Sequence, residues 1–418
     1  MLEARTPIPV SEAVERVIDR ACPLGVETVP LAESYGRILA APLAATHDVP
    51  PFNRAPYDGF AIRSQDSAGA SHENRIAFTV VDHIGAGEVS HKKLGEYEAV
   101  RIMTGAMVPD GADAVVMLEQ AISYEGSETK FSIRKPFASQ ENLSLRGEDM
   151  SEGEIILPAG SFINPGTVAL LATFGYFEVE VSKRPVVGIL ATGTELLEVH
   201  KPLAPGKIRN SNGPMIAAQL ARMGIPCKMY QMASDNLEEC LLAVRKAMEK
   251  TDCLITTGGV SVGDYDYLPA IYEHVQAEVL FNKVAMRPGS VTTVAHVEGY
   301  FLFGLSGNPS ACYTGFELFV RPALLKKMGS QKPYLPRTKA VLAEDFTKAN
   351  PFTRFVRANY DGIHVCQAGF NKSNAVSSIA RGNSLIVLPG GTRGFKAGDA
   401  VDVLLLGVDE GLSDWALS

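Results

Sequence analysis

Cys253-Leu254-Ile255-Thr256-Thr257-Gly258-Gly259-Val260-Ser261-Val262-Gly263-Asp264-Tyr265-Asp266-Tyr267 joins a short apolar run to a donor-rich turn and two carboxylates. The apolar run reads as a buried strand. Adjacent glycines let the backbone approach a ligand closely and present its N–H groups to an anion. Ser261 adds a hydroxyl, and Asp264 and Asp266 stand beside the turn. Phosphate-binding donors next to metal-capable carboxylates point to phosphoryl or nucleotide chemistry. An ordinary strand-to-helix turn is the competing reading, since Gly-Gly pairs are common loop punctuation.

Around this stretch, residues 183–328 alternate strand and helix. Residues 186–191 form an unbroken apolar strand, as expected where both sheet faces are covered. Asn212 is placed to cap a helix with Pro214 in its first turn, and Ile216, Leu220 and Met223 share one face. Asp235 or Asn236 caps the next helix, whose stripe is Leu237, Leu241, Val244 and Met248. Strands near 279–281, 291–295 and 300–305 follow, then a helix from 309 to 328. This βαβ alternation predicts a doubly wound parallel sheet with ligands at the strand carboxyl ends.

The remainder divides by composition into a multidomain α/β plus β chain. Residues 1–45 and 142–182 read as a helical, connecting part. Within it, 7–45 is expected to be helical around a central turn, with Ser11 as a cap. Residues 46–141 are punctuated by Pro and Gly between short β runs, a β-rich inserted domain. Residues 329–418 lose the helical period and read as a small barrel-like β domain.

Two further strand ends in 183–328 carry small polar loops. Thr192-Gly193-Thr194-Glu195 offers hydroxyls for a ligand and a carboxylate for a metal or ribose. Ser306-Gly307-Asn308-Pro309 makes a tight turn with Asn308 as N-cap, and its exposed N–H groups favour an anion. Each is bland alone; three such loops in one sheet are harder to dismiss. Lys283 and Arg287 add positive charge nearby, for a phosphate or for a surface salt bridge. In the β-rich part, Asp58 sits in an Asp-Gly turn, Thr104-Gly105 offers a hydroxyl, and Asp149 follows Arg146 in Arg-Gly-Glu-Asp. Plain turn chemistry accounts for these equally.

The 418 residues carry a net charge of -8 and no basic block, which argues against general nucleic-acid binding. The six cysteines form no CxxC pair and the eight histidines no ligand pair, so a zinc site has little support. No apolar span is long enough for a membrane, and a reducing cytoplasm is the expected compartment.

Taken in order, YDGFA, RIMTGAMVPDGADAVV, RGED, ATGTEL, TTGGVSVGDYDY, MRPG and SGNPSA resemble the molybdopterin molybdenumtransferases, the MoeA proteins and the gephyrin E domain. The similarity spans nearly the whole chain. It implies a four-part elongated subunit and a homodimer, with a cleft between the α/β domain of one subunit and the β-rich domain of the other. It also implies a reaction: molybdenum from molybdate enters adenylylated molybdopterin and AMP leaves, with Mg2+. By motif, Asp58, Asp149, Glu195, Asp235 and Asp266 match acidic positions linked to activity, with Asp58 and Asp266 as metal ligands. Thr104, Thr192, Gly193, Thr194, Gly258, Gly259, Val260, Ser261, Arg287, Gly307 and Asn308 match substrate-binding positions.

The family's usual Lys-Pro-Gly-Lys stands here as Arg287-Pro288-Gly289-Ser290, with one positive charge fewer, and Arg54 is a candidate to restore that charge across the dimer cleft. A molybdopterin adenylyltransferase shares the α/β domain and is the enzymatic rival, distinguished by ATP consumption; it and other cofactor-biosynthesis proteins are also the expected partners. A catalytically weak scaffold paralogue is the rival from another class, distinguished by binding without turnover.

Overall fold

The structure, a computed structural model, describes residues 6–123, 127, 129–231, 237–258 and 267–407. These fall into two compact units. One comprises the described residues of Met1–Ala41, Gly160–Pro165 and Glu178–Ser418, the other Pro42–Ala159 and Gly166–Phe177.

The first unit is built on a six-stranded sheet. Its order is Cys227–Gln231, Val187–Ala191, Cys253–Thr257, Tyr300–Leu305, Thr293–Val297, Glu278–Phe281. The first four strands are parallel; Thr293–Val297 runs antiparallel to both of its neighbours. The expectation of a parallel sheet therefore holds for these four strands and is corrected at one edge. There only Glu298 and Gly299, both at positive φ, separate two strands, and so tight a hairpin joins antiparallel neighbours alone.

Successive strand residues face opposite sides. Ile189, Ile255 and Phe303 pack with Ile216, Leu220, Phe316 and Phe319 on one face. Leu190, Leu254 and Leu302 meet Val244 and Ile271 on the other. Each fully buried side chain of this size contributes about 1.5–3 kcal/mol. The long helix comes in three stretches, Pro309–Gly315, a π-type turn Phe316–Val320, and Arg321–Lys327.

Five strands of the same unit close into a barrel, Thr353–Tyr360, His364–Gln367, Arg337–Leu342, Ala400–Leu405 and Ser384–Leu388, the last pairing back onto the first. The two-residue strand Met286–Arg287 adds to Thr353–Tyr360 in parallel. This pairing docks the loop after Glu278–Phe281 onto the barrel.

Three local expectations are corrected. Only Val10–Arg20 of residues 7–45 is a long helix. Val26–Pro30 is a strand paired with Glu178–Ser182, because β-branched Val26, Thr28 and Val29 precede a proline that cannot continue a helix. The first helix is preceded by Pro9, not capped by Ser11, and Asn212 is the first helical residue after Ser211.

The second unit holds a six-stranded sheet in the order Ala114–Met117, Gly59–Ile62, Glu98–Ile102, Ile76–Ile84, Lys130–Ile133, Ile122–Ser123. Phe60, Phe78 and Phe131 stack in its core. A side chain at Gly59 would collide with the Val116 carbonyl of the neighbouring strand.

Candidate active site

Strand register sets the level at which the loops of the first sheet begin. Ala191 is paired with Thr257, and Thr257 with Leu305. Thr192, Gly258 and Ser306 therefore leave the sheet side by side. The Thr192 N–H and hydroxyl both donate to the Thr257 carbonyl at 3.1 Å. The Gly258 N–H donates to the Leu305 carbonyl at 3.1 Å. Gly258 lies at φ +88°, and a Cβ there would stand 2.8 Å from the Thr192 carbonyl oxygen. Gly307 approaches from the other side, its own Cβ position 3.6 Å from the Gly258 Cα. Asn212 is buried and donates from Nδ2 to the Gly307 carbonyl at 2.8 Å, which explains why it serves this turn rather than its own helix end.

The structure thus brings Thr192, Gly193, Gly258, Gly307 and Asn308 to one end of one sheet. Thr194 and Glu195 continue from the same loop and are exposed. Their carbonyls accept from Lys207 Nζ at 2.7 Å and from the Ile208 N–H at 2.9 Å. Gly259, Val260, Ser261, Asp266 and Asp235 lie outside the described residues.

Beside the Ser306–Asn308 turn opens a cavity of about 600 Å³, shared by the sheet's loops and the barrel. Arg287, Lys348, Arg354, Arg357 and Lys372 line it, and among the described residues its lining includes no Asp or Glu. Arg287 and Arg354 are register partners in the short parallel ladder. Burial, and then the Arg287 charge, hold the Arg354 pKa below its usual value. The cavity's far wall, residues 371–374, is tied to the helix start. The Ser310 N–H donates to the Ser373 carbonyl at 3.0 Å, and its hydroxyl to the Ala375 carbonyl at 2.6 Å.

In the second unit, Asp58 precedes the strand Gly59–Ile62. Its Oδ1 accepts from the Thr104 N–H at 2.7 Å and from the Thr104 hydroxyl at 2.8 Å. Those two bonds, the backbone one first, hold the Asp58 carboxyl below the usual carboxylate pKa. Asp149 is exposed, with its N–H bonded to the Val49 carbonyl. Its expected neighbour Arg146 pairs with Asp48 at 2.5 Å, because the turn at Gly147 lies against Asp48. Arg54 donates to the Ser144 hydroxyl at 3.4 Å and lowers the Glu148 pKa, after the Ser144 and Leu145 hydrogen bonds.

Comparison with known proteins decides what these parts belong to. Residues 8–175 match the family model of the MoeA N-terminal region (domain I and II), 188–326 that of a probable molybdopterin binding domain, and 339–406 that of the MoeA C-terminal region (domain IV). The chain is 57% identical over 409 residues to the molybdopterin molybdenumtransferase of Staphylococcus aureus strain MSSA476, covering 97% of each. It is 58% identical over 408 residues to the molybdopterin molybdenumtransferase of Staphylococcus epidermidis strain ATCC 12228, again covering 97% of each. The crystal structure of the molybdopterin biosynthesis MoeA protein from Pyrococcus horikoshii OT3 superposes with a TM-score of 0.83 at 30% identity, over 96% of this chain and 100% of that one. The chain belongs to the MoeA family.

Its family makes it a transferase of molybdenum cofactor biosynthesis, a molybdopterin molybdenumtransferase. Of the residues that the sequence of this MoeA chain offers for substrate, Arg287 and Asn308 line the cavity; Lys348, Arg354, Arg357 and Lys372 line it too and are not among them. One signal was available. Arg354 and Arg357 interrupt an apolar strand, and charged residues are almost never fully buried without a partner. These side chains put positive charge around the same cavity that Ser290 lines.

Proposed function

We propose that this chain inserts molybdenum from molybdate into adenylylated molybdopterin and releases AMP. The observation that carries the reading is the cavity at Arg287 and Asn308, lined by five cationic side chains and no carboxylate among the described residues. Molybdate is a tetrahedral dianion, and guanidinium groups offer it forked, charge-assisted hydrogen bonds. A carboxylate in the lining would neutralise those cations and repel the ligand. The Thr192, Gly258 and Gly307 turns lie in the same sheet, so a pterin nucleotide gripped there by backbone donors has its phosphates near the cationic wall.

In the reaction, the two dithiolene sulfurs bind molybdenum as one molybdate oxygen leaves with their two protons as water, and a water molecule cleaves the phosphoanhydride to release AMP. Arg287 and Arg354 hold the oxyanion and stabilise the charge that develops. Mg2+, when bound, neutralises phosphate charge during that cleavage. Among the described residues no three His, Cys, Asp or Glu side chains gather, so there is no all-protein cage. Mg2+ does not require one: it is commonly held by one or two carboxylates together with substrate phosphates. Asp58, whose Oδ2 has no partner among the described residues, would supply one such carboxylate; the sequence offers Asp266 as another candidate, outside the described residues. The chain works as a homodimer in the cytoplasm, receiving its nucleotide substrate from a molybdopterin adenylyltransferase. Among the described residues no helix is long and apolar enough to cross a membrane.

The test is AMP release from adenylylated molybdopterin. Stimulation by molybdate and Mg2+, without ATP, supports the proposal. Release that ignores molybdate, or that consumes ATP, overturns it, and binding without turnover would indicate a scaffold. Light scattering on the same sample reads the dimer.

A further inference from the structure

The strand Thr293–Val297 carries a histidine on an otherwise apolar face. Val294 and His296 point to the same side by strand alternation. That side is covered by Ala13 and Val17 of the helix Val10–Arg20 and by Phe319 and Leu324 of the long helix. In register, His296 stands between Glu278 on the edge strand and Phe301 on the inner one. Its ring centroid lies 4.9 Å from that of Phe301, the planes tilted by 59°. Its Nε2 is buried and has no hydrogen-bond partner among the described residues.

Charged groups approach this ring from three elements. Arg20, the last residue of its helix, pairs with Glu278 at 2.8 Å. Lys327, 3% exposed, arrives from the helix Arg321–Lys327. Its Nζ donates to the Gly299 carbonyl at 2.7 Å and stands 5.8 Å from the Phe301 centroid. Arg16, one turn before Arg20, is held by Glu12 and the Leu280 carbonyl. Burial first, then Arg20 and Lys327, hold the His296 pKa below its ordinary 6.5, and Glu278 opposes them. Two cations thus flank the ring, and Glu278 is already engaged by Arg20.

A neutral imidazole tolerates that setting; a charged one does not. Protonation would set three cations around one carboxylate beside a buried ring edge. Moving Arg20 away relieves the repulsion and frees Glu278 for the imidazolium. Lys327 is fixed in the buried long helix and Glu278 in a strand ladder, so the helix Val10–Arg20 is the part that yields. Its leading end is tied elsewhere. The Ile8 N–H donates to the Lys283 carbonyl at 3.2 Å, and the Ala285 N–H to the Ile8 carbonyl at 2.7 Å. Ile8 thereby bridges to Val284, just before the strand Met286–Arg287. A helix that lifts pulls on the loop that presents Arg287.

We propose that His296 is the trigger of a pH-sensitive latch: a proton gained there releases the helix Val10–Arg20 from the sheet edge and slackens the 283–287 loop. The sign follows from the lowered folded value. The stabilisation is complete above the ordinary 6.5, and it is lost as pH falls from there through the folded value.

The test is hydrogen exchange by mass spectrometry on the full-length chain, from about pH 8 to about pH 5, corrected for the intrinsic pH dependence of amide exchange. In the parent, opening of 10–20 and 283–287 should rise severalfold, by at most about tenfold per pH unit for one proton, while the barrel strands hold. His296→Gln keeps a neutral polar side chain and should abolish the rise. His296→Phe should do the same with an apolar ring against Phe301; if one of the two does not fold, the other decides. Arg20→Gln leaves Glu278 to a charged His296, so NMR titration of the ring should show its midpoint moved up from a parental value below 6.5. If neither His296 variant folds, that titration decides. A parental rise that persists in the folded His296 variants overturns the latch, as does exchange at 10–20 that ignores pH. A parental midpoint at or above 6.5, or one unmoved in Arg20→Gln, overturns the role given to the flanking charges and the latch with it. Acid loosening spread evenly over the chain also overturns it. None of these readouts involves turnover, so each outcome leaves the reading of the reaction untouched.

Discussion

Arg287 and Arg354 stand opposite one another in a two-residue parallel ladder, each on the edge of a different fold element. Like charges directly paired across strands destabilise. The ladder nevertheless places both arginines on one cavity, where a bound anion would convert their repulsion into shared attraction.

Arg354→Ala should raise the KM for molybdate by roughly tenfold or more, since a hydrogen bond to a charged group contributes about 1.5–3 kcal/mol. The nucleotide KM should change little. Steady-state AMP release at varied molybdate checks this, and higher ionic strength should shrink the difference only modestly because Arg354 is half-buried.

Thr104→Val should move the Asp58 titration upward. The Thr104 N–H and hydroxyl both favour the charged carboxylate, so the folded pKa lies below the ordinary 3.8. The stabilisation from this pair is fully present above the ordinary value and fades as pH falls through the lower folded value. The variant keeps the N–H bond and loses the hydroxyl, so the shift should be partial. Carboxyl-carbon NMR titration of Asp58 in parent and variant reads it; an unmoved midpoint contradicts the assignment.

Gly258→Ala should destabilise the fold and abolish activity, whereas Gly307→Ala should fold normally. A left-handed backbone costs an L-residue about 1–2 kcal/mol, and the new methyl also meets the Thr192 carbonyl at 2.8 Å. At Gly307 the nearest atom is 3.6 Å away and φ is not in the left-handed region. Urea denaturation separates the two, with Gly307→Ala within about 0.5 kcal/mol of the parent.

Glu317→Ala should cost about 3–5 kcal/mol, the usual penalty for removing one partner of a buried ion pair. Glu317 is 1% exposed and accepts from Arg222 at 2.5 Å and from Gln219 at 2.8 Å. Arg222 also donates to the Leu406 carbonyl at 3.0 Å, so the loss should loosen the link from helix to barrel. Chemical denaturation measures the penalty, and hydrogen exchange at residues 400–406 locates it.

The legible parts of the site were those coded locally. Thr192, Gly258, Gly307 and Asn308 each follow an apolar strand, and parallel register aligns strand ends that the sequence already marks. Arg354 and Arg357 stand out as charges in an apolar strand, but their grouping with Lys348, Lys372 and Arg287 is not legible. They join Arg287 only through the pairing of Met286–Arg287 with Thr353–Arg354, a contact between residues 67 positions apart that no local pattern encodes. The barrel was foreseen because residues 329–418 lack helical period, yet its closing pair, Thr353–Tyr360 with Ser384–Leu388, is again nonlocal. Residues 21–45 were misread as helix because their strand takes its partner from Glu178–Ser182, far along the chain.

Ser310 clasps the Ser373 and Ala375 carbonyls together, and so constrains how this lineage can drift. An extra residue inserted between 373 and 375 would spread the two acceptors beyond one side chain's reach and tug on the helix behind Asn308. Insertions in the turn at 361–363, which joins Thr353–Tyr360 to His364–Gln367, meet no such clasp. Length variation among homologues should accumulate there and spare the clasped segment.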